Sequence, residues 1–172
     1  MNQHALSALE FGRVLDIVAG YASSEPGAAA VRALEPRPGQ AAVAEALDQV
    51  DEMVSWLIRD EGWSPPHIPE IRGALERLAV QGALWSESQL AGALRLLGSA
   101  RAARRAFLPQ ASDFPRLGFI ADGLLKDEKL QKMLADAIDE TNETLKDDAS
   151  AELKRVRRSI RSSRSDLVRL LE

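Results

Sequence analysis

Apolar residues recur at helical spacing through most of the chain, and the pattern is interrupted wherever proline and glycine cluster. Leu9, Phe11, Val14, Leu15, Ile17, Val18 and Tyr21 mark one face of a first amphipathic helix. Ser24 is a predicted N-cap, with Pro26 in the first turn, for a short helix through Ala30, Val31 and Leu34. Pro36 to Gly39 breaks the pattern, and a longer helix is predicted from Ala41 to Arg59 with Val43, Leu47, Val50, Val54 and Leu57 inward and Trp56 beside them. The proline-rich stretch from Gly62 to Pro69 cannot be a regular helix, and Trp63 and Ile68 are expected to pin it to the core. Helical spacing restarts at Ile71, Leu75 and Leu78 and closes at Gln81-Gly82.

Ser86-Glu87-Ser88-Gln89 is a capping box, the sharpest local helix start in the chain. The helix it opens carries Leu90, Leu94, Leu97 and Phe107, and Gly92, Ala93, Gly98 and Ala100 thin it so that a neighbour can approach closely. Pro109 ends it. Two further runs, Leu117 to Leu125 and Leu130 to Ile138, precede a polar connector, Asp139 to Lys146, which suits a turn or two short strands.

The last stretch differs from the rest. Leu153, Val156, Ile160, Ser163, Leu167 and Leu170 repeat in alternating steps of three and four, the narrow seam of a helix that coils against another helix. Asp147, Asp148 and Ser150, with Glu152, supply its start. Neither a glycine cap nor a proline follows, so the helix is expected to be cut short, as the front part of a longer protein. The expected fold class is therefore all-α: residues 1–149 form a helical core domain, and residues 150–172 form the outgoing coiled-coil helix.

Composition agrees with helices, at 45% hydrophobic and only 5% aromatic residues. The aromatic residues are spread through the helical part, where packing in the core is their expected role. No cysteine is present, which excludes disulfides and thiol chemistry within the chain. No apolar run reaches the roughly 18 to 20 residues of a membrane span, and the N-terminus does not read as a signal peptide, so a soluble cytoplasmic protein without a membrane partner is expected. The charge is unevenly placed. Residues 150–172 hold seven basic and three acidic side chains, net +4, so a whole-chain charge of −4 leaves −8 for the remainder.

Candidate chemistry is sparse. No glycine is followed by lysine, so a phosphate-binding P-loop is absent, and Gly-x-Ser-x-Gly is absent too. His4 and His67 are far apart and read as a terminal and a loop residue. The acidic group Asp139, Glu140, Glu143, Asp147 and Asp148 suits capping and solvation better than a cation site. No catalytic residue, metal ligand or cofactor is assigned to the chain itself. The candidate nucleic-acid contacts are Lys154, Arg155, Arg157, Arg158, Arg161, Arg164 and Arg169, whose type suits phosphate contact without base reading. With no aromatic residue from Glu128 onward, stacking on single-stranded bases has no provider there.

Three segments, in this order, carry a resemblance. Leu9-Glu10-Phe11 with Tyr21-Ala22-Ser23-Ser24 and Gly27, then Ile68-Pro69-Glu70-Ile71-Arg72-Gly73-Ala74-Leu75, then Lys146-Asp147-Asp148-Ala149-Ser150-Ala151-Glu152-Leu153 together resemble the N-terminal region of the MutS-two branch of the MutS family. The resemblance covers nearly the whole chain. It departs from the family at Ala151, where proline is frequent, and at Thr141-Asn142-Glu143, where an Asp-Gly turn is frequent. It implies a helical core, or lever, domain followed by the outgoing helix of a coiled-coil clamp. The parent is then expected to be a homodimeric ATPase using ATP and Mg, in many members also an endonuclease. It would bind branched or junction DNA, restrain recombination, and in some members act on stalled ribosomes or their RNA. The family's ATPase and nuclease motifs have no counterpart here, so the chain alone is expected not to be an enzyme. The alternative from another class is a helical protein-interaction module whose terminal helix recruits a partner helix.

Overall fold

A computed structural model describes residues 3–60 and 62–171. Helices α1 (Gln3–Ala8), α2 (Phe11–Ala19), α3 (Glu25–Arg32), α4 (Gln40–Arg59), α5 (Arg72–Arg77), α6 (Glu87–Phe107), α7 (Pro115–Asp122), α8 (Glu128–Ala137) and α9 (Ala151–Leu171) are joined by loops, a 3-10 turn (Leu108–Gln110) and one small hairpin, β1 (Ile138–Asp139) and β2 (Thr144–Leu145). The protein is all-α apart from that hairpin, with a long C-terminal helix. No helix among the described residues is long and apolar enough to cross a membrane.

Contacts divide the chain into two units, Met1–Glu70 with Arg95–Lys126, and Ile71–Leu94 with Asp127–Glu172. The first unit is built on aromatic rings. Trp56 is buried, and Trp63, Phe107 and Phe114 surround it with ring centroids 6.4, 5.0 and 5.4 Å away, all steeply inclined to its plane. Trp63 thus pins the proline-rich loop as expected, whereas Ile68 remains partly exposed at 39%.

Two features of this unit depart from the hydrophobic pattern. Glu10 takes a left-handed conformation at φ 51°, which ends α1 and starts α2 anew. More consequentially, Val43, Leu47, Val50, Val54 and Leu57 of α4 are 41–63% exposed rather than inward. The strip of α4 that meets α7 is the opposite one, Glu45, Asp48, Glu52 and Trp56, spaced three and four residues apart, with Trp56 buried, Glu52 partly buried and Glu45 and Asp48 half-exposed. Arg116 of α7 reaches all three carboxylates, at 3.0, 2.6 and 3.1 Å. Its guanidinium is held charged chiefly by the hydrogen bond to Glu45, whose own carboxyl the same contact holds below its ordinary range.

Glu52 also accepts from the backbone amides of Arg116 and Leu117, at 2.9 and 3.1 Å. Those are first-turn amides of α7, whose own N-cap position is Phe114 and supplies no side-chain acceptor. A distant carboxylate therefore caps the helix. The apolar strip of α4, with Phe11, Leu15, Leu34 and Ile120, is left lining an open groove of about 740 Å³.

In the second unit the capping box forms as expected: the Ser86 amide donates to Gln89 Oε1 at 2.9 Å and the Gln89 amide to Ser86 Oγ at 3.3 Å. Gly92 serves the close approach anticipated for it, since a Cβ there would meet Ile71 Cγ2 at 2.8 Å. Trp85 donates its indole N–H to the Ala74 carbonyl, fastening α5. Ala91 and Leu94 of α6 pack with Ile138, which is 2% exposed, and with Leu134 and Leu145 around them. Aromatic burial is not general, however: Tyr21 and Phe119, expected in the core, are 87% and 83% exposed.

The helical glycines give a direct check of this packing. A Cβ on Gly118 would lie 2.6 Å from Ala111 Cβ and 3.1 Å from its Cα, whereas one on Gly12 meets nothing within 4 Å. Gly118→Ala is expected to destabilise by about 1–3 kcal/mol through overpacking, and Gly12→Ala to stabilise by up to about 1 kcal/mol through helix propensity. Urea unfolding checks both, and shifts of the same sign would contradict the packing described.

Candidate nucleic-acid interface

The basic helix is mounted on the hairpin. Ile138 pairs with Leu145 and Asp139 with Thr144 in antiparallel register. The Asp139 carboxylate accepts from the amides of Thr141 and Asn142 and from the Asn142 side chain at 2.8 Å. These bonds, the Asn142 side chain foremost, hold its carboxyl below the ordinary range. Glu143, rather than the more tolerant Asn142, takes the left-handed position at φ 52°. Lys146 ties the exit of β2 to α8, its amide donating to the Ala137 carbonyl at 2.8 Å and its ammonium to the Ala135 carbonyl at 2.6 Å. The Leu145 amide donates to Glu87 at the start of α6.

Helix α9 begins where short polar residues were expected to start it. Ser150 Oγ accepts from the Leu153 amide at 3.0 Å, a regular N-cap. Asp147 has a different task from the capping foreseen for it: it accepts from Arg157 at 2.7 Å and from Arg161, two successive turns of the helix. Arg157 also donates to the Leu145 carbonyl at 2.9 Å. The Arg157 guanidinium first, and Arg161 second, keep the Asp147 carboxyl below its usual range. One carboxylate thus ties the first three turns of α9 to the end of the hairpin. The acidic group of the connector, in Asp139 and Asp147, orders the turn and the helix root.

The candidate cations separate accordingly. Arg157 and Arg161 are engaged by Asp147, and Arg155 lies 4.0 Å from Glu152 with both side chains more than four-fifths exposed. Among the described residues Lys154, Arg158, Arg164 and Arg169 are exposed and form no ion pair. Along the expected seam only Leu153 is half-buried; Val156, Ile160 and Leu167 are 44%, 53% and 59% exposed, and Ser163 is exposed as well. The Leu170 side chain, expected at the last seam position, lies outside the described residues. The helix therefore presents both a run of apolar positions and a set of cations to solvent. Elsewhere, His4 sits on α1 rather than in an irregular terminus, and the His67 carbonyl accepts from Ser99 within the proline-rich loop.

No protein-family profile matches the chain. Individual proteins do. The chain is 37% identical, over its whole length, to "Endonuclease MutS2" of Gemmatimonas aurantiaca. It is 35% identical over 94% of its length to the protein of that name from Solidesulfovibrio magneticus, and 32% identical over 96% to "Putative endonuclease MutS2" of Bacillus subtilis. The chain is a relative of MutS2 proteins. It spans about a fifth of the length of these MutS2 relatives, 21% of each.

The tie between α9 and the hairpin has a pH signature. Because the arginines depress the folded-state pKa of Asp147, its stabilising contribution is complete above the ordinary carboxylate range and disappears as pH falls through the lowered value. Asp147→Asn is therefore expected to be less stable than the parent at neutral pH and equally stable in strong acid. Urea midpoints of the two proteins across an acid titration check this; a difference independent of pH would show that Asp147 acts by something other than its charge.

Proposed function

We propose that this chain is the core and clamp-root part of a MutS2-type protein, and that α9 is the base of an arm that holds branched or junction DNA. The observation that carries the reading is α9 itself: a helix tied down at its first three turns, with an exposed apolar seam and with Lys154, Arg158, Arg164 and Arg169 exposed and in no ion pair among the described residues. Guanidinium and ammonium groups in that setting suit backbone phosphates, which they neutralise with release of counterions. Similarity along the whole chain to proteins named endonuclease MutS2 supports the nucleic-acid assignment. In the parent, on this reading, a dimeric ATPase using ATP and Mg drives the arm through the helical core, an endonuclease activity lies elsewhere in the protein, and the clamp also serves on stalled ribosomes. The chain described here carries the arm and its mount, and no chemistry of its own.

The exposed seam favours a second reading, in which α9 recruits a partner helix and the arginines solvate it. Fluorescence anisotropy with a four-way junction and a plain duplex, across a salt series, separates the two. Clamp-root function is expected to give binding whose log affinity falls with log salt by about 0.9 per phosphate contact, lost when all the cations from Lys154 to Arg169 are changed to Gln. Binding that ignores salt, or survives those changes, would refute it.

A further inference from the structure

Resting on that reading, we infer that the nucleic-acid face of α9 is not its whole basic surface but one strip, Lys154, Arg158 and Arg169, and that this strip bridges the major groove of a B-form DNA duplex. Three observations lead there. With about 100° per residue, Lys154, Arg158 and Arg169 fall within an arc of about 60°, and the middle of that arc is nearly opposite the seam of Val156, Ile160, Ser163 and Leu167. The side between them is the mounted one: Leu153 and Arg157 are half-buried there, and Asp147 holds Arg157 and Arg161. Arg164 lies next to the seam on that same flank. The outer strip, flanked by Arg155 beside Glu152, is thus cationic surface that stays open when another helix covers the seam and the hairpin holds the root.

The occupants of the strip between the cations are small. Ser165 lies between Lys154 and Arg158 on the wheel and Ser162 beside Arg169, and the Ser165 hydroxyl folds back to the Arg161 carbonyl at 3.1 Å. A phosphate chain can therefore approach the helix closely. At about 1.5 Å per residue, Lys154 and Arg158 form a pair about 6 Å apart, and Arg169 stands about 16 Å beyond Arg158. Charges grouped at the two ends of such a span match the two phosphate rims of a B-DNA major groove, about 12 Å wide and able to admit a helix. The deep, narrow major groove of an A-form RNA duplex offers no such pair of rims. The strip has no Asn or Gln for adenine and no aromatic ring for stacking, and the spacing of its cations matches the phosphate rims.

The test is salt-dependent anisotropy of the whole chain on matched DNA and RNA duplexes. Lys154→Gln/Arg158→Gln/Arg169→Gln is compared with the charge-matched Arg157→Gln/Arg161→Gln/Arg164→Gln, with helix content followed by circular dichroism and Arg164→Gln alone as the control should the second triple unfold. The outer triple is expected to lower the salt slope on DNA by about 0.9 per cation removed and the affinity at least tenfold. The flank changes should lower the slope on DNA by less than the outer triple does, and RNA should bind more weakly than DNA. A flank loss equal to or larger than the outer loss would overturn the strip while leaving α9 as the interface. RNA bound as tightly as DNA would overturn the groove assignment. Binding that neither triple alters would refute both the strip and the clamp-root function on which it rests.

Discussion

The Asp147 carboxylate, shared by Arg157 and Arg161, is the contact on which the placement of the C-terminal helix depends. A helix of 21 residues that leaves a two-stranded hairpin has little else to set its direction. Its apolar seam faces solvent over most of its length, and one N-cap at Ser150 fixes where it starts without fixing where it points. Holding two arginines one turn apart fixes both the azimuth and the first three turns. It also engages two of the helix's cations and so sorts a basic helix into a mounted flank and an open strip. An exposed ion pair contributes little stability by itself. Here its role is orientation.

The same logic, in which charge rather than hydrophobicity chooses the packed face, recurs in α4. Read by its apolar spacing alone, that helix turns Val43, Leu47, Val50 and Val54 to the core. In the structure Arg116 gathers Glu45, Asp48 and Glu52 toward α7, with Trp56 on the same strip entering the aromatic cluster. A strip of carboxylates spaced by three and four residues was visible in the sequence, but its partner lies more than sixty residues away, so nothing local distinguished a solvated acidic face from a packed one. Helix α7 depends on that distant pairing too, because Glu52 caps it where Phe114 cannot.

Local signals were the legible ones. The Ser24 cap, the capping box at Ser86, the breaks at Pro36 and Pro109 and the close approach at Gly92 all reflect chemistry within a few residues or a missing side chain. The connector was also readable as a turn or two short strands, and Glu143 takes the left-handed position in it. What sequence could not give was tertiary partnership: that Asp147 reaches forward ten and fourteen residues instead of capping, or that Tyr21 and Phe119 stay outside while Trp56, Phe107 and Phe114 assemble. For the candidate site, residue types and their helix were legible, while their division into engaged and open groups depends on the tertiary placement of Asp147.

The central claim is that α9 is the surface that meets nucleic acid, and amide hydrogen exchange of the chain with and without a DNA duplex tests it most directly. The account predicts that duplex slows exchange along α9, most beyond Arg161 where Asp147 no longer steadies the helix, and leaves α2, α4 and α7 unchanged. Protection that appears instead around α4 and α7, with α9 unaffected, would contradict it.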